Sequence, residues 1–516
     1  MTPGSRVLVV GLGVSGEAAA RELLRRGVAV NVVDAAHGPA LVARAEALRA
    51  AGATVRLGRS AAADVEAVDL VVTSPGVPQD GPVLAAAIRR GVPVYSEPEL
   101  AWRLVAGRTR LLAVTGTNGK TTTTEMLAAC LGAAAAGNIG TPLVSLLGAD
   151  EPVGLVVAEL SSFQLQFAQT LRPDVAVLLN LAPDHLDWHG GWDGYQAAKA
   201  RVWRAQRPTD WAVVNADDRG AQAAVVAHPP PGRRATFTLS RPRHGQVGID
   251  DGAIVAFLGG EPVEVIGVGD LALRGPHNLA NAVAAVAAAC CAGADPRALA
   301  PALRGYRAGA HRLEAVATVD GVAYVNDSKA TNPHAAAAAL ASFGDDAGGG
   351  GDLGREDRGD GSLGGDRGSV GGDRGSGSGS VGGGGRVVWI AGGLAKGLTF
   401  ESLRDDVARY VRAAATIGTA GPDLAALVAG LGLPVVQAGT LDVAVRAAAD
   451  LARPGDTVLL APACASMDQF SDYAERGRAF RTAVAALPSR EVGQPVTSRG
   501  GAAMATDVAR ERSHGQ

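Results

Sequence analysis

Short apolar runs recur along this chain, and most of them end in glycine or in a polar loop. Val7–Val10, Val28–Val33 and Leu70–Thr73 are of this kind, with Ala/Leu/Arg-rich stretches of helical spacing between them. That alternation predicts βαβ units around a parallel sheet over residues 1–107. A second block, residues 108–311, opens on the run Leu111–Val114 and continues through Leu155–Ala158 and Val175–Asn180. A third block, residues 312–487, carries Ala323–Asn326, a helical stretch at Pro333–Phe343, then Val387–Ala391 and Thr457–Ala461. The pattern fails in two places. Residues 345–385 are rich in Gly, Asp, Arg and Ser, and Gly-Gly-Asp-Arg-Gly-Ser occurs there twice. Such a stretch has too little apolar surface to offset the entropy of ordering, so a disordered insertion looping out of the third block is expected. The polar tail 488–516 is expected to be disordered as well.

Composition narrows the picture. The chain has 516 residues, 47% hydrophobic and 19% charged, with a net charge of −3. A length of this order suggests about three domains. The charge balance gives no reason to expect a nucleic-acid or anionic-membrane partner. Four cysteines without metal-ligand spacing suit a reducing compartment, and no apolar stretch is long enough to span a bilayer. With no recognisable secretory leader, the expectation is a soluble, cytoplasmic protein that acts as a monomer.

The strongest chemical signal is Thr115-Gly116-Thr117-Asn118-Gly119-Lys120-Thr121-Thr122, between an apolar run and the predicted helix Thr122–Leu131. Successive backbone N–H groups of such a loop can cradle phosphate oxygens at a helix N-terminus. Lys120 would neutralise the β- and γ-phosphates, and the Thr121 hydroxyl would ligate Mg2+. The general P-loop pattern places a glycine where this chain has Val114. A second signal, Gly11-Leu12-Gly13-Val14-Ser15-Gly16, is followed by Asp34 at the end of the next run. It suits a dinucleotide site, a nucleotide-sugar site or a plain tight turn, and the residues alone leave these open. Glu159 closes a run and stands where an acid can hold Mg2+. Asp184-His185-Leu186-Asp187 crowds further metal-competent chemistry into one loop. Lys199, in a helical stretch, reads by itself as a surface lysine. Three polar loops follow strands of the third block: Asn326–Asn332, Gly392–Gly397 and Pro462–Phe470. Lys329, Lys396 and Ser466 on them suit a carboxylate ligand.

Together, the 115–122 loop, Glu159–Gln164, Asp184–Asp187, His277-Asn278, His311-Arg312 and Asp327–Asn332 resemble the Mur ligase family of peptidoglycan synthesis. The resemblance covers about residues 1–487 apart from the glycine-rich stretch. Gly11–Gly16 with Ser74-Pro75-Gly76, Glu159–Leu165 and Pro462–Phe470 are most similar to the branch that adds D-glutamate to UDP-N-acetylmuramoyl-L-alanine. The resemblance implies an α/β fold of three domains: a Rossmann-like N-terminal domain, a central P-loop ATPase-type domain and a Rossmann-like C-terminal domain. It implies UDP contacts at Val14, Ser15, Asp34 and Gly76, and contacts to the rest of that substrate at Asn138 and Gln164. ATP would be held by Gly116, Thr117, Asn118, Gly119, Lys120, Thr121, Thr122, Asn281, Arg312 and Asp327. Thr121 and Glu159 would ligate one Mg2+; His185 and Lys199, the latter as a carbamate, would ligate another. Lys120, His185 and Lys199 would be the catalytic groups. D-Glutamate would meet Thr331, Lys396, Ser466 and Tyr473. Two departures from the family pattern stand out: Ala35 and Ala36 where polar uridine contacts are common, and Tyr473 where phenylalanine is expected.

Overall fold

The computed structural model describes residues 4–105, 108–147, 153–273, 275–343 and 386–488. The glycine-rich stretch 345–385 and the tail beyond residue 488 lie outside the described residues.

Three sheets carry the chain, as the resemblance implied. The first is all parallel, with strands β1 (Arg6–Val10), β2 (Ala29–Asp34), β3 (Thr54–Leu57), β4 (Leu70–Thr73) and β5 (Val94–Ser96) in the order β3-β2-β1-β4-β5. The second holds β6 (Arg110–Thr115), β7 (Ala134–Gly137), β8 (Leu155–Glu159), β9 (Val175–Leu178), β10 (Trp211–Asn215), β11 (Arg233–Phe237), β12 (Gln246–Asp250), β13 (Ala253–Phe257) and β14 (Val263–Gly267). Its order is β14-β13-β12-β11-β10-β9-β6-β8-β7. The third holds β15 (Glu314–Val319), β16 (Val322–Asn326), β17 (Val387–Gly392), β18 (Val411–Ile417), β19 (Val435–Gly439) and β20 (Thr457–Leu460), ordered β15-β16-β20-β17-β18-β19. Central strands such as β4, β9 and β20 are buried along their whole length. Helices cover both faces, which is why these strands read as unbroken apolar runs rather than alternating ones.

The antiparallel extension β12–β14 was not anticipated. Asp250 pairs with Ala253, so a two-residue turn at Asp251-Gly252 joins β12 to β13. Both turn residues have positive φ, 46° and 72°. Asp-Gly is the favoured pair for such a hairpin, so the signal was present between two alternating runs.

The domains are joined unequally. One apolar cluster runs from Val9 and Leu23 of the first domain through Leu100 to Leu111, Leu143 and Trp203 of the second. The third domain has its own clusters, around Trp389 and around Ile390. Buried acids reinforce the first junction. Glu99 accepts hydrogen bonds from the backbone N–H groups of Gln169, Thr170 and Leu171, and Glu97 accepts one from Val144 N–H at 2.5 Å. The third domain meets the second mainly through the polar contacts described next. A shared apolar core resists relative motion, whereas a polar interface permits it.

Candidate active site

The phosphate loop is set by its neighbours. β6 delivers Thr115, and Gly119 precedes the helix Lys120–Leu131. Asn180, just past β9, pins the loop twice. Its carbonyl accepts from Thr117 N–H at 2.9 Å, and its side-chain oxygen accepts from Asn118 N–H at 2.9 Å. The Thr117 hydroxyl lies 2.9 Å from the Tyr195 hydroxyl and accepts from Ala182 N–H. Lys120 Nζ folds onto its own loop, donating to the carbonyls of Gly116 and Thr117 at 3.0 and 2.7 Å. The Thr123 hydroxyl donates to Asn281 Oδ1 at 3.2 Å, which ties the helix Pro276–Cys291 to the loop.

Beneath the loop lies Lys199, 2% exposed. Its Nζ donates to Gly116 O at 2.6 Å and to the Thr115 hydroxyl at 3.2 Å. Two amines therefore share the Gly116 carbonyl. Burial, and then the neighbouring Lys120 charge, hold the Lys199 amine well below the usual lysine range. A neutral amine is a nucleophile, the form in which a lysine can take up CO2 as a carbamate. The sequence in isolation gave a surface lysine; the structure places it among the most buried side chains.

Glu159 ends β8 with one carboxylate oxygen accepting from Asn138 Nδ2 at 2.8 Å and the other buried without a partner among the described residues. The Thr121 hydroxyl accepts from Lys329 Nζ at 2.8 Å. His185 sits in the left-handed region at φ 52°, with Nε2 3.6 Å from Asp184 Oδ1 and its ring edge-on to Phe163 at 4.6 Å. Burial lowers its pKa to about 4, so the imidazole is neutral at pH 7 and can act as a ligand. Among the described residues, no group of three or more His, Cys, Asp or Glu gathers as a metal centre. The donor set still fits Mg2+. The orphaned Glu159 oxygen and the Thr121 hydroxyl are hard oxygen ligands, and Mg2+ at phosphate sites commonly takes one or two protein ligands, with water and phosphate oxygens supplying the rest.

The third domain closes the far side. Arg312 pairs with Glu125 at 2.9 Å, and the Tyr306 hydroxyl donates to the same carboxylate at 2.6 Å. Asp327 accepts from Leu313 N–H at 3.3 Å, and burial raises its pKa to about 7. Burial also lowers the pKa of Lys329, to about 8. Asn332 donates to Asn118 Oδ1 and to Asp184 Oδ2 at 3.2 and 3.3 Å, and His334 Nδ1 lies 2.8 Å from Asn118 Nδ2. Between these groups is a cleft of about 720 Å3.

Thr117 to Thr122, Asn138, Glu159, His185, Asn281, Arg312, Asp327, Thr331 and Tyr473 all line that cleft. Gly116 and Lys199 lie just under its floor. Gln164 caps a short helix with Ser161 and leaves its Nε2 buried and, among the described residues, unpartnered. Val14, Ser15, Asp34 and Gly76 are not part of the cleft lining; they gather at the C-terminal edge of the first sheet. There both Asp34 oxygens accept backbone N–H groups, from Leu12 and Ala36 at 2.7 and 2.8 Å, so this acid braces the glycine loop. Lys396 and Ser466 sit on the corresponding edge of the third sheet, outside the cleft lining; Lys396 is near enough to His185 to depress its pKa. Tyr473 offers its carbonyl to the Ser328 hydroxyl at 2.7 Å, a backbone contact that phenylalanine would make equally. Sequence reading passed over Glu125, Asn180, Tyr195 and His334. Only Glu125 carried a signal, one helical turn beyond Thr121 and therefore on the same face.

Comparison with known proteins agrees with this geometry. Residues 114–289 match the model of the Mur ligase middle domain, and residues 5–96 match that of the Mur ligase MurD-like N-terminal domain. A protein of Frankia casuarinae named UDP-N-acetylmuramoylalanine–D-glutamate ligase is 48% identical over 94% of each chain. One of the same name from Thermobifida fusca is 42% identical, covering 94% of this chain and 99% of its own. The UDP-N-acetylmuramate-alanine ligase MurC structure from Thermotoga maritima shares the fold at 19% identity, with a TM-score of 0.54 over 93% of this chain and 99% of its own. Phosphate loop, buried lysine and three-sheet frame thus occur together in a chain that belongs to the Mur ligase family, on the branch of the UDP-N-acetylmuramoylalanine–D-glutamate ligases.

Proposed function

We propose that this chain is an ATP-dependent ligase that joins D-glutamate to UDP-N-acetylmuramoyl-L-alanine, a cytoplasmic step of peptidoglycan precursor synthesis carried out by a monomer. The observation that carries the reading is the cleft that sets the phosphate loop and Glu159 of the second domain against Arg312, Asp327 and Lys329 of the third. The names of the Frankia and Thermobifida relatives supply the substrates.

The chemistry follows from the groups present. ATP lies along the cleft with its phosphates on the 116–122 loop. Lys120 leaves its two carbonyls for the β- and γ-oxygens, while Asn281, Arg312 and Asp327 hold the nucleoside end. Val14, Ser15, Asp34 and Gly76 take the UDP, and Asn138 and Gln164 guide the sugar toward the cleft. The substrate carboxylate attacks the γ-phosphorus and ADP leaves. The amine of D-glutamate, held through its carboxylates by Thr331, Lys396, Ser466 and the backbone at Tyr473, then attacks the acyl carbon and phosphate leaves. Such a transfer asks little covalent chemistry of the protein, so positioning and charge neutralisation dominate. Thr121 with Glu159, and His185 with a carbamylated Lys199, would hold Mg2+, which neutralises the phosphate oxygens when bound. No helix among the described residues is long and apolar enough to cross a membrane.

The test is the fate of ATP. With UDP-N-acetylmuramoyl-L-alanine and D-glutamate, the products should be ADP, orthophosphate and a UDP-linked glutamyl product. AMP and pyrophosphate would overturn the acyl-phosphate route.

A further inference from the structure

Arg476 has no place in the chemistry above, yet its burial is unusual. It is 0% exposed, on the helix Tyr473–Ala485. No ion pair to a carboxylate is formed by it among the described residues. Its guanidinium instead binds three loops at once. Nε donates to the Ser328 hydroxyl at 3.1 Å, and Nη2 to the Ser328 carbonyl at 2.9 Å. Both terminal nitrogens donate to the Cys464 carbonyl at 3.1 Å, and Nη1 also reaches the Gly392 carbonyl at 3.5 Å.

Those carbonyls belong to the three loops at the C-terminal edge of the third sheet, which carry Thr331, Lys396 and Ser466. The loops are also bound to one another: Leu394 and Ala465 exchange backbone hydrogen bonds at 2.9 and 3.0 Å, and Ala463 N–H donates to Ala330 O at 2.9 Å. Room for the fork is made by Gly393, at φ 132°, where a Cβ would stand 3.1 Å from Arg476 Nη1 and collide with the Ala465 carbonyl. A planar five-donor cation can span three loops; lysine, with a single point charge, cannot. The direct partners of the guanidinium are carbonyls and a hydroxyl, which carry no formal charge, while Asp468 acts on it electrostatically without an ion pair. Burial depresses its pKa to about 10, which leaves it charged at pH 7.

We propose that Arg476 is the positioning residue of the acceptor edge, fixing the spacing of the Ser328, Gly392 and Cys464 loops and lending positive potential to an acceptor that carries two carboxylates. The proposal rests on the ligase reading and adds a residue to it. The acceptor half of the reaction should depend on Arg476 more strongly than the ATP half, although Asp327 and Lys329 flank Ser328 on one of the loops.

The experiment uses the full chain with Arg476→Met, Arg476→Lys and the milder Ser328→Ala, each checked by thermal melting. Two rates are read: overall turnover against D-glutamate concentration, and ATP-to-ADP phosphoryl exchange with UDP-N-acetylmuramoyl-L-alanine and no amino acid. Loss of charge-assisted hydrogen bonds should raise the KM for D-glutamate about tenfold or more in Arg476→Met. Arg476→Lys should fall between that variant and wild type, and Ser328→Ala should show a rise of about twofold or more. Exchange and the KM for ATP should change by clearly less than the KM for D-glutamate in each variant. Should Arg476→Met fail to fold, the other two variants decide by the same criteria. An unchanged KM for D-glutamate in the folded variants, or an equal rise in the KM for ATP, would overturn the proposal. Wild-type turnover reports on the ligase reading separately: its absence with D-glutamate overturns that reading before any variant is compared.

Discussion

Glu97 gives the sharpest physical prediction at the junction of the first two domains. It is 1% exposed, with one oxygen accepting from Val144 N–H and the other buried without a partner among the described residues. Burial raises its pKa from 4.5 to about 7. In the unfolded chain the carboxyl ionises at the ordinary value. Below pH 4.5 both states hold the proton, and the contribution to stability is fully present. Between pH 4.5 and about 7 the unfolded chain has released the proton while the folded chain retains it, so stability falls as pH rises. At about 1.4 kcal/mol per pH unit, the loss across that window is about 3 kcal/mol, with no further loss above it. Glu97→Gln keeps the shape and the acceptor but cannot ionise. The assay is chemical unfolding of both proteins at pH 5 and pH 8, followed by fluorescence. Taking the difference between them cancels other titrating groups, Asp327 among them. The wild type should lose about 2.5 kcal/mol more than Glu97→Gln over that interval, which begins inside the window. Parallel pH dependence of the two proteins would refute the reasoning.

Other predictions concern the cleft. Lys199→Met should lower ATP turnover by about a hundredfold or more, by removing an electrostatic group from the reacting phosphates. Its folding stability should stay within about 1 kcal/mol of wild type, since an apolar side chain replaces a buried amine while the Gly116 carbonyl keeps Lys120 and the Thr115 hydroxyl keeps the Leu160 carbonyl; phosphate release and thermal melting read the two effects. Asn332→Ala removes contacts to Asn118 and Asp184 across the polar domain interface. It should raise the KM for ATP by about three- to tenfold, at about 1 kcal/mol for a lost hydrogen bond. Among the described residues the third domain shares no apolar core with the second, so small-angle scattering should show compaction when an ATP analogue and the UDP-sugar bind together; an unchanged radius of gyration would contradict it.

Much of this was legible in the sequence because apolar runs and polar loop ends are local signals. Leu70–Thr73 and Val387–Ala391 are buried on both faces, so composition alone identifies them as strands. The 115–122 loop was legible for the same reason: its glycines, lysine and threonines act within eight consecutive positions. Glu97 and Glu99 were not legible. Glu-Pro-Glu ahead of an apolar run reads as an ordinary acidic helix start facing solvent. In the fold those acids are buried, because their donors arrive from residues 144 and 169–171, distant in sequence. Lys199 failed in isolation for a similar reason. Nothing nearby in sequence announces that the helix Trp192–Ala200 turns it under the phosphate loop. Arg476 belongs with these, since its partners come from three separate loops and only the folded third domain brings them together.

The central claim is that the third domain selects the acceptor for a carboxylate activated on the phosphate loop. The most direct measurement is orthophosphate release with ATP and UDP-N-acetylmuramoyl-L-alanine against a panel of amino acids. The account predicts turnover with D-glutamate and little with L-glutamate, L-alanine or meso-diaminopimelate. Turnover with L-alanine or meso-diaminopimelate, and none with D-glutamate, would contradict it.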